Sequence, residues 1–195
     1  MFKKSFLLAA TALALFASCN KSGTTVTTPE TASTEELGLV MKNGGKGSTV
    51  CPPVTYCGET TTVRLMAGQH IESGNVFVGN DASNIYITYT TQDGWRMTEL
   101  HLYAGACEAL PINNGGNTAP GKFPNKVSFS GSGVTSYTFT IPLSSLNGCA
   151  PDICVAAHAV VNNCGQPETA WGEGCRINEK GNWAMRFNYS IQSCD

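Results

Sequence analysis

Nine cysteines in a chain of 195 residues constrain what this sequence can fold into more than any other feature. They are Cys19, Cys51, Cys57, Cys107, Cys149, Cys154, Cys164, Cys175 and Cys194. An odd count leaves one thiol over, but Cys19 lies where an export leader would end. The remaining eight suffice for four bridges in an oxidising compartment. Zinc is the competing use of many cysteines, and the pattern argues against it. There is no Cys-x-x-Cys, and the gaps around 51/57, 149/154, 154/164 and 164/175 are not structural-zinc spacings. The expectation is a disulfide-stapled extracytoplasmic domain in which all eight cysteines from Cys51 to Cys194 are bridged.

The N-terminus agrees with export. Met1 to Ser18 reads MFKKSFLLAATALALFAS, two lysines before an apolar run that ends in small residues. That is a signal peptide, too short to span a membrane comfortably. Leu15-Phe16-Ala17-Ser18-Cys19 resembles the lipobox of bacterial lipoproteins, departing from it at Phe16, where the family usually has Leu. The resemblance implies that Cys19 becomes the lipidated N-terminus. It implies a chain anchored to the outer membrane of a gram-negative bacterium, facing the periplasm or the outside. Residues 19–49 are rich in Thr, Ser and Gly and cannot bury enough apolar surface to fold, so they read as a tether. Gly44-Gly45-Lys46-Gly47-Ser48 within it lacks the offsets of a phosphate loop. No cofactor is expected.

Residues 50–195 form the domain. Charged residues are 13% of the chain, about half the usual ~25%. The formal charge of −2 becomes −4 once Lys3 and Lys4 leave with the leader, and no basic cluster remains, which argues against a nucleic-acid partner. Thr60 to Met66, Asn75 to Gly79 and Asn84 to Thr91 alternate as strands, the last with Ile85, Ile87 and Tyr89 opposite Tyr86, Thr88 and Thr90. Gln92-Asp93-Gly94 is a turn after which Trp95 to Tyr103 is expected to return as a hairpin partner, with Met97, Glu99, His101 and Tyr103 on one face. Ala104 to Lys126 carries three prolines and no regular period, the mark of a long functional loop. Tyr137 to Leu143 is a strand ending at Pro142. Ile153 to Val161 is almost continuously apolar, hence a central strand buried on both faces. Asn182 to Gln192 is the last strand, with Trp183, Met185, Phe187, Tyr189 and Ile191 inward. Seven or eight strands without a helical period point to an all-β fold, an antiparallel β-sandwich of jelly-roll or Greek-key type.

The segments NVFVGNDASNIYITYTT, WRMTELHLYAG, PGKFP, YTFTIPL, AAHAVV, ETAWGEG and NWAMRFNY, in this order, resemble a recurring secreted or surface-attached bacterial domain. The resemblance covers residues 63–191. It implies fold and location and carries over no catalytic residue.

The chemistry concentrates between Cys164 and Cys175, read as a loop bearing Glu168, Trp171 and Glu173. Two carboxylates beside an aromatic ring are what a sugar site uses, the ring stacking on a pyranose face. A glycosidase needs its acids on opposite sides of the scissile bond, roughly 5–10 Å apart, and one short loop supplies that geometry poorly. The bland alternative is Trp171 as a core plug, with the Glu side chains capping turns or paired to Arg176 or Arg186. Cys164 and Cys175 bracket the loop, and their bridge would rigidify it; the other pairings stay open. His101 and His158, with Glu99, Glu168 or Glu173, are the donors a metal site would draw on. Two histidines without i, i+4 or His-x-His spacing favour buried, hydrogen-bonded rings instead, so no metal is expected. Asp81, Asp93 and Asp152 lack a calcium-loop pattern.

The leading expectation is therefore a non-enzymatic binding module of the cell envelope, capturing carbohydrate through Trp171, Glu168, Glu173, Trp95 and Tyr103. The alternative is a structural or adhesive surface lipoprotein whose partner is an envelope protein. A hydrolase using Glu168 and Glu173 ranks last.

Overall fold

The computed structural model describes residues 54–146 and 151–195. The expected leader and tether, with Cys19, and the cysteines Cys51 and Cys149 lie outside the described residues.

Alternation of β-branched and aromatic residues with Thr, Asn and Gly produces ten strands: β1 (Thr61–Ala67), β2 (Ile71–Asn80), β3 (Asn84–Thr91), β4 (Arg96–Gly105), β5 (Asn125–Ser128), β6 (Ser136–Pro142), β7 (Asp152–Asn163), β8 (Gln166–Gly172), β9 (Cys175–Arg176) and β10 (Met185–Ser190). No α-helix occurs among the described residues; three short 3-10 turns follow β4, precede β5 and follow β6. The pairings given are antiparallel, in the order β5-β4-β7-β8-β1-β2-β3-β6, with β10 on β7 and β9 on β10. The two end strands, β5 and β6, are consecutive in the chain. The segment between them pairs Val134 with Met97 of β4 and accepts the Thr91 N–H of β3 at Thr135. The sheet is thereby nearly closed into a barrel.

The inward face is mainly apolar, with Asn80 buried on it and accepting from the Tyr189 hydroxyl. Leu65, Val76, Val78, Ile85, Ile87, Tyr89, Met97, Leu100, Leu102, Val155, Ala157 and Val161 meet in one fully buried cluster. At about 25 cal/mol per Å² of apolar surface removed from water, this burial is the dominant stabilising term. β7 is the expected central strand, buried on both faces over most of its length.

Two expectations need correcting. β3 and β4 are not a hairpin, because both edges of β3 are already taken by β2 and β6 while β4 lies between β5 and β7. The turn, with Asp93 and Gly94 at positive φ, instead leads into β4, which pairs with β5 and β7. Met97 does not share a face with Glu99 either. A bulge between them turns Met97 inward beside Leu100, leaving Glu99, His101 and Tyr103 outward.

Two bridges staple the described residues, Cys57–Cys194 and Cys107–Cys154. Cys164 is also disulfide-bonded, but not to Cys175, which is exposed and free. The reason is strand length. Cys164 precedes β8 and Cys175 follows it, so seven extended residues at ~3.3 Å each separate them, far beyond disulfide reach.

Candidate functional site

The stretch expected to be a loop is mostly strand β8, and that decides the fate of its side chains. Ala170 points into the main core and Trp171 outward. Outward does not mean exposed here. The chain between β4 and β5 folds over this face, its Phe123 meeting the Trp171 ring edge-on at 6.4 Å. Ala184 and Leu110 complete a second apolar cluster with Tyr103, Cys154 and Ala156. Trp171 is only 3% exposed, Tyr103 7% and Trp95 8%, the last in the main core. None of the three presents a ring to a sugar. Their aromatic surface is consumed by packing, which corrects their assignment as ligand contacts.

The carboxylates part company too. Glu173 receives two hydrogen bonds from the Arg64 guanidinium, one at 2.8 Å from Nε. That partner holds its carboxyl below the ordinary value, the wrong direction for a general acid. Glu168 sits five positions earlier on the opposite side of the alternating strand. At ~3.3 Å per residue the two Cα atoms are roughly 16 Å apart, outside the glycosidase range of roughly 5–10 Å.

The register instead unites residues far apart in sequence. His101 of β4 lies directly across from His158 of β7, and His158 across from Trp171 of β8. The two Nδ1 atoms are 3.1 Å apart, a hydrogen bond between neutral rings. The His158 ring packs on Trp171 at 4.8 Å. Burial, reinforced by the neighbouring imidazole, lowers the His158 pKa to about 3. Burial also lowers that of His101, with Glu99 opposing.

The outward face of β1, β2, β3 and β6 differs in kind. Ladder pairing sets Thr62, Phe77, Thr88 and Thr138 in one row across the four strands, and Arg64, Asn75, Thr90 and Ser136 in the next. Thr88 and Thr138 share a hydroxyl hydrogen bond of 2.8 Å. A third row contains Gly79, Tyr86 and Thr140. Gly79 is required by what lies over it. A Cβ there would come 2.8 Å from Cδ1 of Tyr56, whose ring occupies that seat. Tyr56 meets Phe77 at 5.1 Å and Tyr86 at 5.8 Å, and all three rings are half-buried. The Tyr86 hydroxyl donates to Asp81 at 2.7 Å, and the Ser83 and Asn84 N–H groups hold the same carboxylate. These bonds keep the Asp81 carboxyl below its ordinary value. A shallow open cleft lies beside it, between residues 55–58, 81–83 and 193–195. The sequence carried half of this signal, because β3 visibly sets Tyr86, Thr88 and Thr90 on one side. Tyr56 was illegible, since its place depends on a missing side chain in another strand.

Comparison with protein-family models, with curated proteins and with solved structures returns no match.

Proposed function

We propose that this chain is a lipid-anchored, non-enzymatic binding module of the bacterial envelope. Its domain is a two-layered sandwich that captures polysaccharide on the open face of β1, β2, β3 and β6. The leader ending at Cys19 and the bridges Cys57–Cys194 and Cys107–Cys154 support an extracytoplasmic, membrane-tethered location. Residues from β1, β2, β3 and β6 face those of β4, β7 and β10 across one core, which supports the sandwich reading.

The single observation that carries the binding reading is the half-buried trio Tyr56, Phe77 and Tyr86 within a field of threonines and Asn75. Aromatic rings offer apolar faces to sugar C–H surfaces, while Thr and Asn supply hydroxyl partners at ladder spacing. A face fixed by strand pairing needs no ordering when a ligand arrives.

The test is co-sedimentation of the full oxidised chain with cellulose, chitin and peptidoglycan. A polysaccharide in that panel is expected to retain the protein. Phe77→Ala combined with Tyr86→Ala should weaken retention about tenfold, equivalent to about 1.4 kcal/mol, and Trp171→Phe should not. Failure to bind across the panel, or equal binding by the double variant, would replace this reading with a structural or adhesive lipoprotein.

A further inference from the structure

We propose that His101 and His158 together bind one first-row divalent metal ion, Cu²⁺ in preference to Zn²⁺, through their two Nδ1 atoms, with water completing the coordination. The inference is independent of the glycan reading and concerns the other side of the sheet.

Three observations carry it. First, the histidines are a directly opposed cross-strand pair on β4 and β7, with both neighbouring ladder positions also paired, so their backbones are fixed by the sheet. Second, their Nδ1 atoms are already 3.1 Å apart. Two nitrogens at ~2.0–2.1 Å from one ion and this far from each other subtend an angle of roughly 100°. That value lies between cis square-planar and tetrahedral coordination, and rotation about the side-chain bonds would turn both Nδ1 lone pairs toward one ion. Third, Trp171 backs the His158 ring at 4.8 Å, an outer contact that holds a ligand ring in orientation.

The protons balance. Without metal, one Nδ1–H donates to the other Nδ1. With metal, each imidazole carries its proton on Nε2 and both remain neutral. Glu99 and Lys126 flank His101 with opposite charges. Among the described residues no group of three or more His, Cys, Asp or Glu is gathered to hold a metal, so the proposed site has these two protein donors and water. Imidazole donors and an open coordination sphere favour copper in the divalent series. His101 is half-buried, which gives an ion its approach from the β4 side.

The experiment uses the full oxidised chain with Cys175→Ser in every sample, removing the exposed thiol as a competing donor. Copper(II) or zinc(II) salt is titrated while tryptophan emission and heat are recorded. Copper at this pair lies close to Trp171 and quenches it. One equivalent should saturate the signal, and the copper spin-resonance spectrum should show two nitrogen donors. His101→Ala should weaken binding at least tenfold, His158→Gln likewise, and His70→Ala should leave it unchanged. His101→Ala alone is sufficient if His158→Gln does not fold. The proposal is overturned by an absence of saturable binding, or by wild-type affinity in a His101→Ala variant that retains the wild-type melting curve.

Discussion

The two outward faces of this sheet surround the same apolar core and are finished in different ways. The β4–β7–β8 face is capped. Phe123 and Leu110 come from the chain between β4 and β5, Ala184 from the segment before β10, and Cys107–Cys154 ties the start of the cap to β7. The β1–β2–β3–β6 face carries threonine rows, Asn75 and three half-buried aromatic rings. An aromatic side chain serves as core or as contact surface according to whether a connection folds over it. Strand sequence alone does not decide between the two.

The contrast is sharpest when the cap is released. Replacing Cys107 and Cys154 together by Ala removes a bridge spanning 47 residues, worth up to about 4 kcal/mol in the chain-entropy account. Denaturant melts should show that loss. Trp171 should become accessible to quencher before the main core unfolds, while polysaccharide retention persists. Should both faces fail together, the cap is not a separable layer.

Leu100→Ala breaks the comparison from inside. Its side chain is fully buried in the main core, and the substitution should cost about 3 kcal/mol. Here both faces should be lost in a single cooperative transition, read by tryptophan emission and by polysaccharide retention.

Acid weakens the capped face through His158. His158 has its folded pKa depressed to about 3, so between that value and the ordinary imidazole range the unfolded chain binds more protons. Stability is full above about pH 6.5 and falls as the pH drops towards 3, at about 1.4 kcal/mol per unit. From pH 6.5 to 5 the expected loss is about 2 kcal/mol. His158→Gln should flatten that slope in melts across the same range, and an unchanged slope would remove His158 from the account.

The smallest effect falls on the open face. Gly79→Ala places a methyl group against Tyr56 and displaces its ring. Stability should fall by about 1 kcal/mol, while polysaccharide retention should fall severalfold. Unaltered retention would exclude Tyr56 from the contact surface.

Much of this fold was legible in the chain. Alternation in Asn84 to Thr91 marks β3 at both ends, and the apolar run from Ile153 marks a strand buried on both sides. Partner choice was not legible. The Gln92-Asp93-Gly94 turn has hairpin chemistry, yet β3 already has β2 and β6. Nor does any local pattern announce the bulge before Glu99 or the closure of β5 and β6 through Val134. The candidate site suffered most from this. Glu168, Trp171 and Glu173 looked like one loop because they are close in sequence, but an extended strand sends neighbours to opposite sides. His101 and His158, 57 positions apart, meet because two strands share a register.

The most direct test of the capped-face account is acrylamide quenching of Trp171 as the sole tryptophan, in the oxidised full chain carrying Trp95→Phe and Trp183→Phe. The account predicts blue-shifted emission and weak quenching, because Phe123 and His158 enclose the ring. Red emission with quenching close to that of free indole, in a variant that still melts cooperatively, would contradict it and return Trp171 to the exposed surface.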